Sequence, residues 1–478
     1  MTNERTMTNA RILALRHPLL PWLLGSLAAL AAPPACGPPP APPPPLLLLV
    51  SVDTLRADHL GAYGSERGLT PSLDALAAES LVFATAYAPS SFTVPSVSAL
   101  LTGWYPEQNG ILSNEHILPA SVPTLARMLA ARGYRTGAVV SNFVLRRGGG
   151  LQGGFERYDD ELPELEAVRG IPERLAGDTT DRALTLLDEL VAAGDGRAFL
   201  WVHYQDPHGP YTPPAADREL YLEAERSRPD GGRRLTFGAD HRGLGDLPNY
   251  QRIGAEDEVA FYRAGYAAEV ARSDREIGRL LAGLRDRGLA DRAVVVFAAD
   301  HGEGLGERDY WFAHGEHLSD PLVRVPLFLR VPGLPPGRRA DVAGLTDVVP
   351  TLAGIFGLAT PAGLPGRDLL AAGAAAAAPE LYLATLRGAK LPRIALVRDG
   401  YKYVATRTGA SRFGEELFRL GEEDCDLAAA EPERLAALRR RIQEVQRDVQ
   451  SAGRERQRDL SAAEIERLEK IGYAGGDR

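Results

Sequence analysis

Leu46-Leu47-Leu48-Leu49-Val50-Ser51-Val52-Asp53 is an apolar run that stops on a carboxylate. A short continuous run of this kind, without polar alternation, reads as a strand buried on both faces of a parallel sheet. The same grammar returns twice. Phe199-Leu200-Trp201-Val202 leads into His203 and then Asp206-Pro207-His208, and Ala293-Val294-Val295-Val296-Phe297-Ala298-Ala299 ends on Asp300-His301. In open α/β sheets ligands bind outside the carboxyl ends of the strands, so these acids and imidazoles are predicted to meet there although the chain separates them widely. The pattern predicts an enzyme with a metal site.

A fourth stretch supplies a hydroxyl. In Phe92-Thr93-Val94-Pro95-Ser96-Val97, Thr93 has the chemistry of an N-cap and Pro95 suits a first helical turn, while Val94, Val97, Leu100 and Leu101 keep helical spacing up to Gly103. A hydroxyl at a helix N-terminus sits where free N–H groups and the macrodipole favour an anion, as a nucleophile toward a phosphate or sulfate ester requires. An ordinary cap is the plainer alternative.

Taken in order, several segments resemble the sulfatase family within the alkaline phosphatase superfamily. They are Asp53-Thr54-Leu55-Arg56-Ala57-Asp58-His59-Leu60-Gly61, the Thr93-x-Pro-Ser segment closing on Leu101-Thr102-Gly103, Asp206-Pro207-His208-Gly209-Pro210-Tyr211 and Asp300-His301-Gly302-Glu303. His314-Gly315, Val325-Pro326-Leu327, Asp347-Val348-Val349-Pro350-Thr351 and the tail Ile471-Gly472-Tyr473 add to the likeness, which runs from Leu46 to Tyr473. The resemblance implies a doubly wound, mostly parallel sheet flanked by helices, with a small C-terminal α+β subdomain.

It also implies roles. Asp53, Asp300 and His301, with the Thr93 oxygen, look like the ligands of one divalent cation, and this oxygen-rich set with one imidazole suits Ca²⁺, Mn²⁺, Mg²⁺ or Zn²⁺. His208 and His314 would bind the oxygens of an anionic ester or protonate its leaving group, and Arg56 would join them in holding substrate. One departure stands out: active sulfatases convert a Cys or Ser in Cys/Ser-x-Pro-x-Arg to formylglycine, whereas this chain has Thr93 there and Val97 at the Arg position. No formylglycine is expected. Superfamily members with an unmodified Thr, such as the nucleotide pyrophosphatases and the phosphoglycerol transferases of lipoteichoic acid synthesis, act on phosphorus. The expected activity is metal-dependent cleavage of sulfate, phosphate or phosphonate esters through Thr93. The alternatives are an envelope transferase of a phosphoryl head group and a catalytically silent metal-binding relative.

Other polar residues read more plainly. Arg56 and Asp58 form a structural pair if they do not touch substrate, and His317 competes with His314 for the same place. His203 is a near-core imidazole unless it frames a second metal with Asp206. Glu303 and Glu307 are expected to cap or solvate their loop, Ser91 and Ser96 are the substitute nucleophiles, and His116 and His241 read as surface residues.

The chain has 478 residues, 45% of them hydrophobic, which suits one large catalytic unit with an appendage. A formal charge of -9 leaves no basic footprint, so nucleic acid is not an expected partner, and anionic substrates must be drawn by local cations. Arg5, Arg11 and Arg16 precede an apolar stretch from Leu19 to Ala32, then Cys36 and a Pro-rich run from Pro38 to Pro45. This reads as a signal peptide or lipoprotein anchor over residues 1–36 and a spacer over 37–45. The protein is expected to be exported to the periplasm or cell surface, with a possible membrane tether through lipidated Cys36. Only Cys425 remains besides, so no internal disulfide is expected, and nothing in the sequence speaks to oligomeric state.

The catalytic domain is expected over 46–378 and the C-terminal subdomain over 379–478. Between the motifs, helices are predicted over 122–133, from Asp178 or Thr179 to Leu190, and over 258–288, with strands over 136–140 and 325–331. Residues 215–257 form a solvated insertion or a lid. In the C-terminal part 394–397 and 401–404 read as strands, with Lys402 able to point toward the cleft. Residues 431–470 read as a solvated packing helix, and the Ala-rich tract over 371–378 as a connector.

Overall fold

The computed structural model describes residues 44–373, 379–409 and 412–453. The leader and most of the spacer, most of the Ala-rich tract and the Ile471-Gly472-Tyr473 tail lie outside the described residues. An eight-stranded sheet carries the fold. Its spatial order is Gly337–Arg339, Leu81–Phe83, Leu327–Arg330, Ala293–Ala299, Leu46–Val52, Ala198–Tyr204, Arg135–Val140 and Arg157–Asp159. Every residue of the three strands quoted at the outset is buried, so both faces of the sheet are covered there.

Register brings the polar ends together. Leu46 pairs with both Ala198 and Ala293, and Val52 with both Tyr204 and Ala299, so the three strands finish level. The ladder runs one residue further, with the Asp53 N–H on Tyr204 O at 2.9 Å and the Asp300 N–H on Val52 O at 3.1 Å. A carboxylate placed one residue past each strand is therefore beside its neighbour.

Leu327–Arg330 runs antiparallel to both of its neighbours, the other pairings being parallel. The chain leaves Ala299 at the carboxyl edge, folds over that edge through residues 300–326 and re-enters from the same side, which reverses the strand. The sheet is thus doubly wound and mostly parallel, as the resemblance implies.

Helices follow the expected places with shifted ends. Leu125–Ala130 starts at Thr124, whose Oγ1 accepts from Arg127 N at 3.3 Å; the next two are Ala176–Ala192 and Val259–Asp286. Ala176–Ala192 begins ahead of Asp178 because Thr179 Oγ1 donates back to Leu175 O at 2.9 Å and to or from Ser141 at 2.7 Å, so its hydroxyl is not a cap.

Four antiparallel strands, Glu380–Thr385, Arg393–Arg398, Tyr401–Arg407 and Phe413–Arg419, make the C-terminal sheet. Alternation decides its two contacts. Tyr382, Ile394, Leu396 and Leu417 meet Leu438, Ile442 and Val445 of the helix Pro432–Gly453, whereas Leu381, Leu383, Ala395 and Val397 pack with Tyr87, Leu318 and Leu322 of the larger part.

Candidate active site

Four side chains converge past the strand ends. Asp53, Asp300 and His301 each offer one atom, all within 4.8 Å of one another, and they are the one such His, Cys, Asp and Glu group among the described residues. His301 Nε2 lies 3.7 Å from Asp53 Oδ1, 3.7 Å from Asp300 Oδ2 and 3.3 Å from Thr93 Oγ1. Asp53 Oδ1 and Asp300 Oδ2 are buried with no hydrogen-bond partner. Two fully buried, unpartnered carboxylate oxygens facing an imidazole nitrogen are unfavourable unless a cation completes them.

Local backbone fixes each donor atom. His301 Nδ1 donates to Gly302 O at 2.9 Å, which leaves the Nε2 lone pair for the cluster. Gly302 is required, because a Cβ there would lie 2.0 Å from Pro321 O. Asp300 Oδ1 accepts from His301 N at 2.7 Å and Thr54 N at 3.2 Å, turning Oδ2 inward. To donate this way, Thr54 adopts φ 53°, a left-handed conformation that costs a β-branched residue on the order of 1–3 kcal/mol. Burial, and then the Asp53 charge, push Asp300 well above the usual carboxylate range. Burial acts upward on Asp53 too, but the surrounding imidazoles outweigh it and hold Asp53 low.

Thr93 does not cap its helix. Phe92 takes the N-cap place of Thr93–Thr102 with φ -123° and ψ 144°, and Thr93 is the first helical residue, its hydroxyl turned to His301. The next N–H, of Val94, donates to Asn114 Oδ1 at 2.9 Å. Ser91 Oγ donates to His317 O at 2.9 Å and Ser96 Oγ to Ser90 O at 2.8 Å, so both substitute hydroxyls are engaged elsewhere. Val97, at the motif's Arg position, is fully buried in the core.

The imidazoles form a second wall. The His314 ring lies 4.6 Å from that of His301 and 5.1 Å from that of His208, and His208 stacks on Tyr250 at 6.2 Å. His208 Nδ1 is buried and unpartnered. Burial lowers all three rings, His301 to about 3 and His314 to about 4, so they are neutral at pH 7. His317 instead packs edge-on against Tyr310 at 4.9 Å.

Several expectations need correction. Arg56 does not face the cluster: its guanidinium binds Asp58 at 2.9 and 2.7 Å, Glu307 at 2.8 Å and Glu303 O at 3.2 Å. It is the structural partner of Asp58, because every edge of its fork meets a protein oxygen. Glu303 is no solvated cap. It is fully buried, accepts from Tyr211 Oη at 2.9 Å and holds His314 Nδ1 at 3.1 Å, and burial pushes it up to about 7. Glu307 is tied to Arg56 and to Leu305 N at 2.9 Å. His203 and Asp206 do not frame a metal, since His203 Nδ1 meets Ser51 Oγ at 2.9 Å while Asp206 Oδ2 accepts from Ala176 N at 3.4 Å. His116 is buried, with Nδ1 within 3.0 Å of Leu112 N and of Gly110 O, and His241 is half-buried. Lys402 points away from the cleft, to Asp320, Glu423 and Leu318 O.

The 215–257 insertion lines the site. Tyr250 Oη and Gln251 Nε2 donate to Phe312 O at 2.9 and 3.0 Å, which locks Tyr250 beside His208. A further residue escaped the sequence reading. Asn142, just past the Arg135–Val140 strand, donates from Nδ2 to Asp53 Oδ2 at 2.5 Å. An Asn after an apolar run has the look of a turn residue; its place at a fourth strand end was the available signal.

The sheet, the acid pair and the imidazole wall define an α/β ester hydrolase of the alkaline phosphatase kind. The sulfatase family model matches residues 45–358, and the chain belongs to that family, whose members cleave sulfuric or phosphoric esters and generally bind a divalent metal. It is 27% identical to human iduronate 2-sulfatase over 395 residues, 66% of this chain and 70% of that protein. It is 25% identical to choline-sulfatase of Rhizobium meliloti (strain 1021) over 407 residues, 75% of this chain and 76% of that protein. In fold it is similar to the phosphonate monoester hydrolase of Agrobacterium radiobacter, with a TM-score of 0.65 and 18% identity over 85% of this chain and 96% of that one.

Proposed function

We propose that this protein hydrolyses sulfate, phosphate or phosphonate esters with unmodified Thr93 as nucleophile and Asp53, Asp300, His301 and Thr93 Oγ1 as the ligands of one divalent cation. The observation that carries this reading is the pair of buried, unpartnered oxygens, Asp53 Oδ1 and Asp300 Oδ2, turned toward the same His301 nitrogen as the Thr93 hydroxyl. A cation held by this set supplies Lewis-acid polarisation of the ester oxygen and favours the ionised Thr93 hydroxyl.

The chain's own groups supply the rest. Thr93 Oγ1, ionised with its proton released to solvent, attacks sulfur or phosphorus, and its bond forms as the bond to the leaving oxygen breaks. His208 and His314 face the transferred group, where an arriving anion raises their pKa against the effect of burial. A protonated imidazole of this pair then delivers its proton to the leaving oxygen. Glu303 keeps the His314 ring in place by accepting from Nδ1. In the second half, water attacks the Thr93 ester while the now neutral imidazole takes its proton, and Thr93 Oγ1 departs as the alkoxide from which the cycle began. The basic leader, apolar stretch and Cys36 support export to the periplasm or cell surface with a lipid tether. The domain division at about residue 378 and the roles assigned here belong to the same proposal.

Mass spectrometry of the Thr93 peptide after exposure to aryl phosphate, phosphonate and sulfate esters tests the reading. A phosphoryl or sulfuryl mass gain on Thr93 with one of them is expected. Absence of divalent-cation-dependent turnover with all three would overturn it.

A further inference from the structure

Thr54 carries two unfavourable features at one residue. Its φ of 53° is left-handed, which a β-branched side chain resists, and its buried Oγ1 has no hydrogen-bond partner. No hydrogen bond of its own side chain offsets the strain. The conformation serves its backbone instead: Thr54 N donates to Asp300 Oδ1 at 3.2 Å, one of the two bonds that leave Asp300 Oδ2 turned to His301 Nε2.

What holds that backbone comes from far along the chain. Tyr266, on the helix Val259–Asp286, donates from Oη to Thr54 O at 2.8 Å and accepts at the same oxygen from Arg56 N at 3.1 Å. One phenol oxygen thus bridges the two peptide groups on either side of Leu55, as a group that both donates and accepts can do. Tyr266 is fully buried, and burial raises its phenol well above the ordinary value, so it keeps its proton and remains a donor. Its ring meets Tyr211 edge-on at 5.5 Å and His59 at 5.0 Å. A phenylalanine would fill the same space without burying a polar atom, so the two bonds are what the hydroxyl adds.

We propose that Tyr266 is a positioning residue for the cation site. Its two bonds keep Thr54 left-handed, the Thr54 N–H stays on Asp300 Oδ1, and Asp300 Oδ2 stays turned inward. The inference rests on the reading of Asp53, Asp300 and His301 as cation ligands given above. Without the phenol oxygen, Thr54 is free to relax into the ordinary extended or helical region, which takes its N–H off the carboxylate. Thr54→Gly removes the cause of that relaxation, because glycine takes positive φ without steric cost. The substitution deletes no hydrogen bond, since Thr54 Oγ1 makes none.

Calorimetric titration of the full-length protein with Mn²⁺ tests this, with circular dichroism to establish that each variant is folded. Tyr266→Phe is expected to weaken Mn²⁺ binding by about tenfold, the low end of what ligand-orienting groups contribute. Thr54→Gly alone should stay within about threefold of the wild type, and Tyr266→Phe combined with Thr54→Gly should return to within about threefold of it as well. That rescue separates positioning from packing: if Tyr266 only filled the core, glycine at position 54 would leave the loss unchanged or deepen it. Wild-type affinity in Tyr266→Phe, or a loss that Thr54→Gly does not repair, overturns the proposal. Should Tyr266→Phe alone not fold, the double variant is compared with Thr54→Gly, and a difference beyond about threefold overturns it equally. A wild type that binds no Mn²⁺ sinks the cation reading itself, and this inference with it.

Discussion

Asn142 Nδ2 stands 2.5 Å from Asp53 Oδ2, and Asn142 Oδ1 accepts from Val144 N at 3.0 Å, so one buried amide ties a carboxylate of the proposed cation site to the turn that follows a neighbouring strand. His203 Nε2 approaches the same Oδ2 at 3.8 Å from the other strand. With Oδ2 held, Oδ1 is the oxygen turned to His301 and Thr93. Residues that orient a ligand in this way typically account for 10–100-fold in metal affinity. Asn142→Ala is therefore expected to weaken Mn²⁺ binding by roughly that factor while the protein stays folded. Calorimetric titration checks the first part and circular dichroism the second; unchanged affinity would show that the carboxylate holds its orientation without the amide.

Thr93→Ala removes the proposed nucleophile and one of four proposed ligands. Because Ser91 and Ser96 donate to backbone carbonyls, neither is free to replace it. Turnover of a reactive aryl ester should fall by at least about 10³-fold, with a smaller loss of metal affinity, whereas Thr93→Ser should keep measurable activity. Activity of Thr93→Ala within tenfold of wild type would move the attack to water.

Lys402 joins the C-terminal sheet to the larger part through charge. It is 1% exposed, donates to Asp320 Oδ1 at 2.6 Å and Leu318 O at 3.0 Å, and pairs with Glu423. Lys402→Met leaves two acids without their cation, and breaking a buried pair costs about 3–5 kcal/mol. Adding Asp320→Asn and Glu423→Gln to the same chain should recover most of that loss, since the charges then vanish together. Urea midpoints of the single and triple variants measure it, and an equally unstable triple variant would locate the effect in packing instead.

How far the sequence carried the site depended on the kind of signal. Asp53, Asp300 and His301 were legible because an unbroken apolar run can end only at a sheet edge, and level register then brings the ends together. Leu327–Arg330 was legible as a strand, but its reversal depends on how 300–326 crosses the edge, which no local pattern encodes. Arg56 and Glu303 misled for a shared reason. Each is a charged residue whose role is set by partners far along the chain, Glu307 for one and Tyr211 for the other, and composition cannot show such pairings. Tyr250 was hidden in a segment whose charge and glycine content suggest solvent, while its ring faces His208.

Glu107 makes stability depend on pH well away from the cation cluster. It is buried beside the last helix and accepts from Tyr382 Oη at 2.8 Å through Oε1, while Oε2 has no partner. Burial pushes its carboxyl up from 4.5 to about 7. Between those two values the folded chain binds more protons than the unfolded chain, so stability falls as pH rises through this window and this contribution is level above it. At about 1.4 kcal/mol per pH unit, the loss is on the order of 3 kcal/mol. Glu107→Gln keeps an acceptor for Tyr382 and cannot ionise. It should therefore match the wild type near pH 4.5 and gain steadily on it up to about pH 7, giving a higher melting temperature at pH 8. Thermal melts of both proteins across that range measure the difference, and parallel curves would mean that Glu107 ionises as readily in the folded protein as in the unfolded chain.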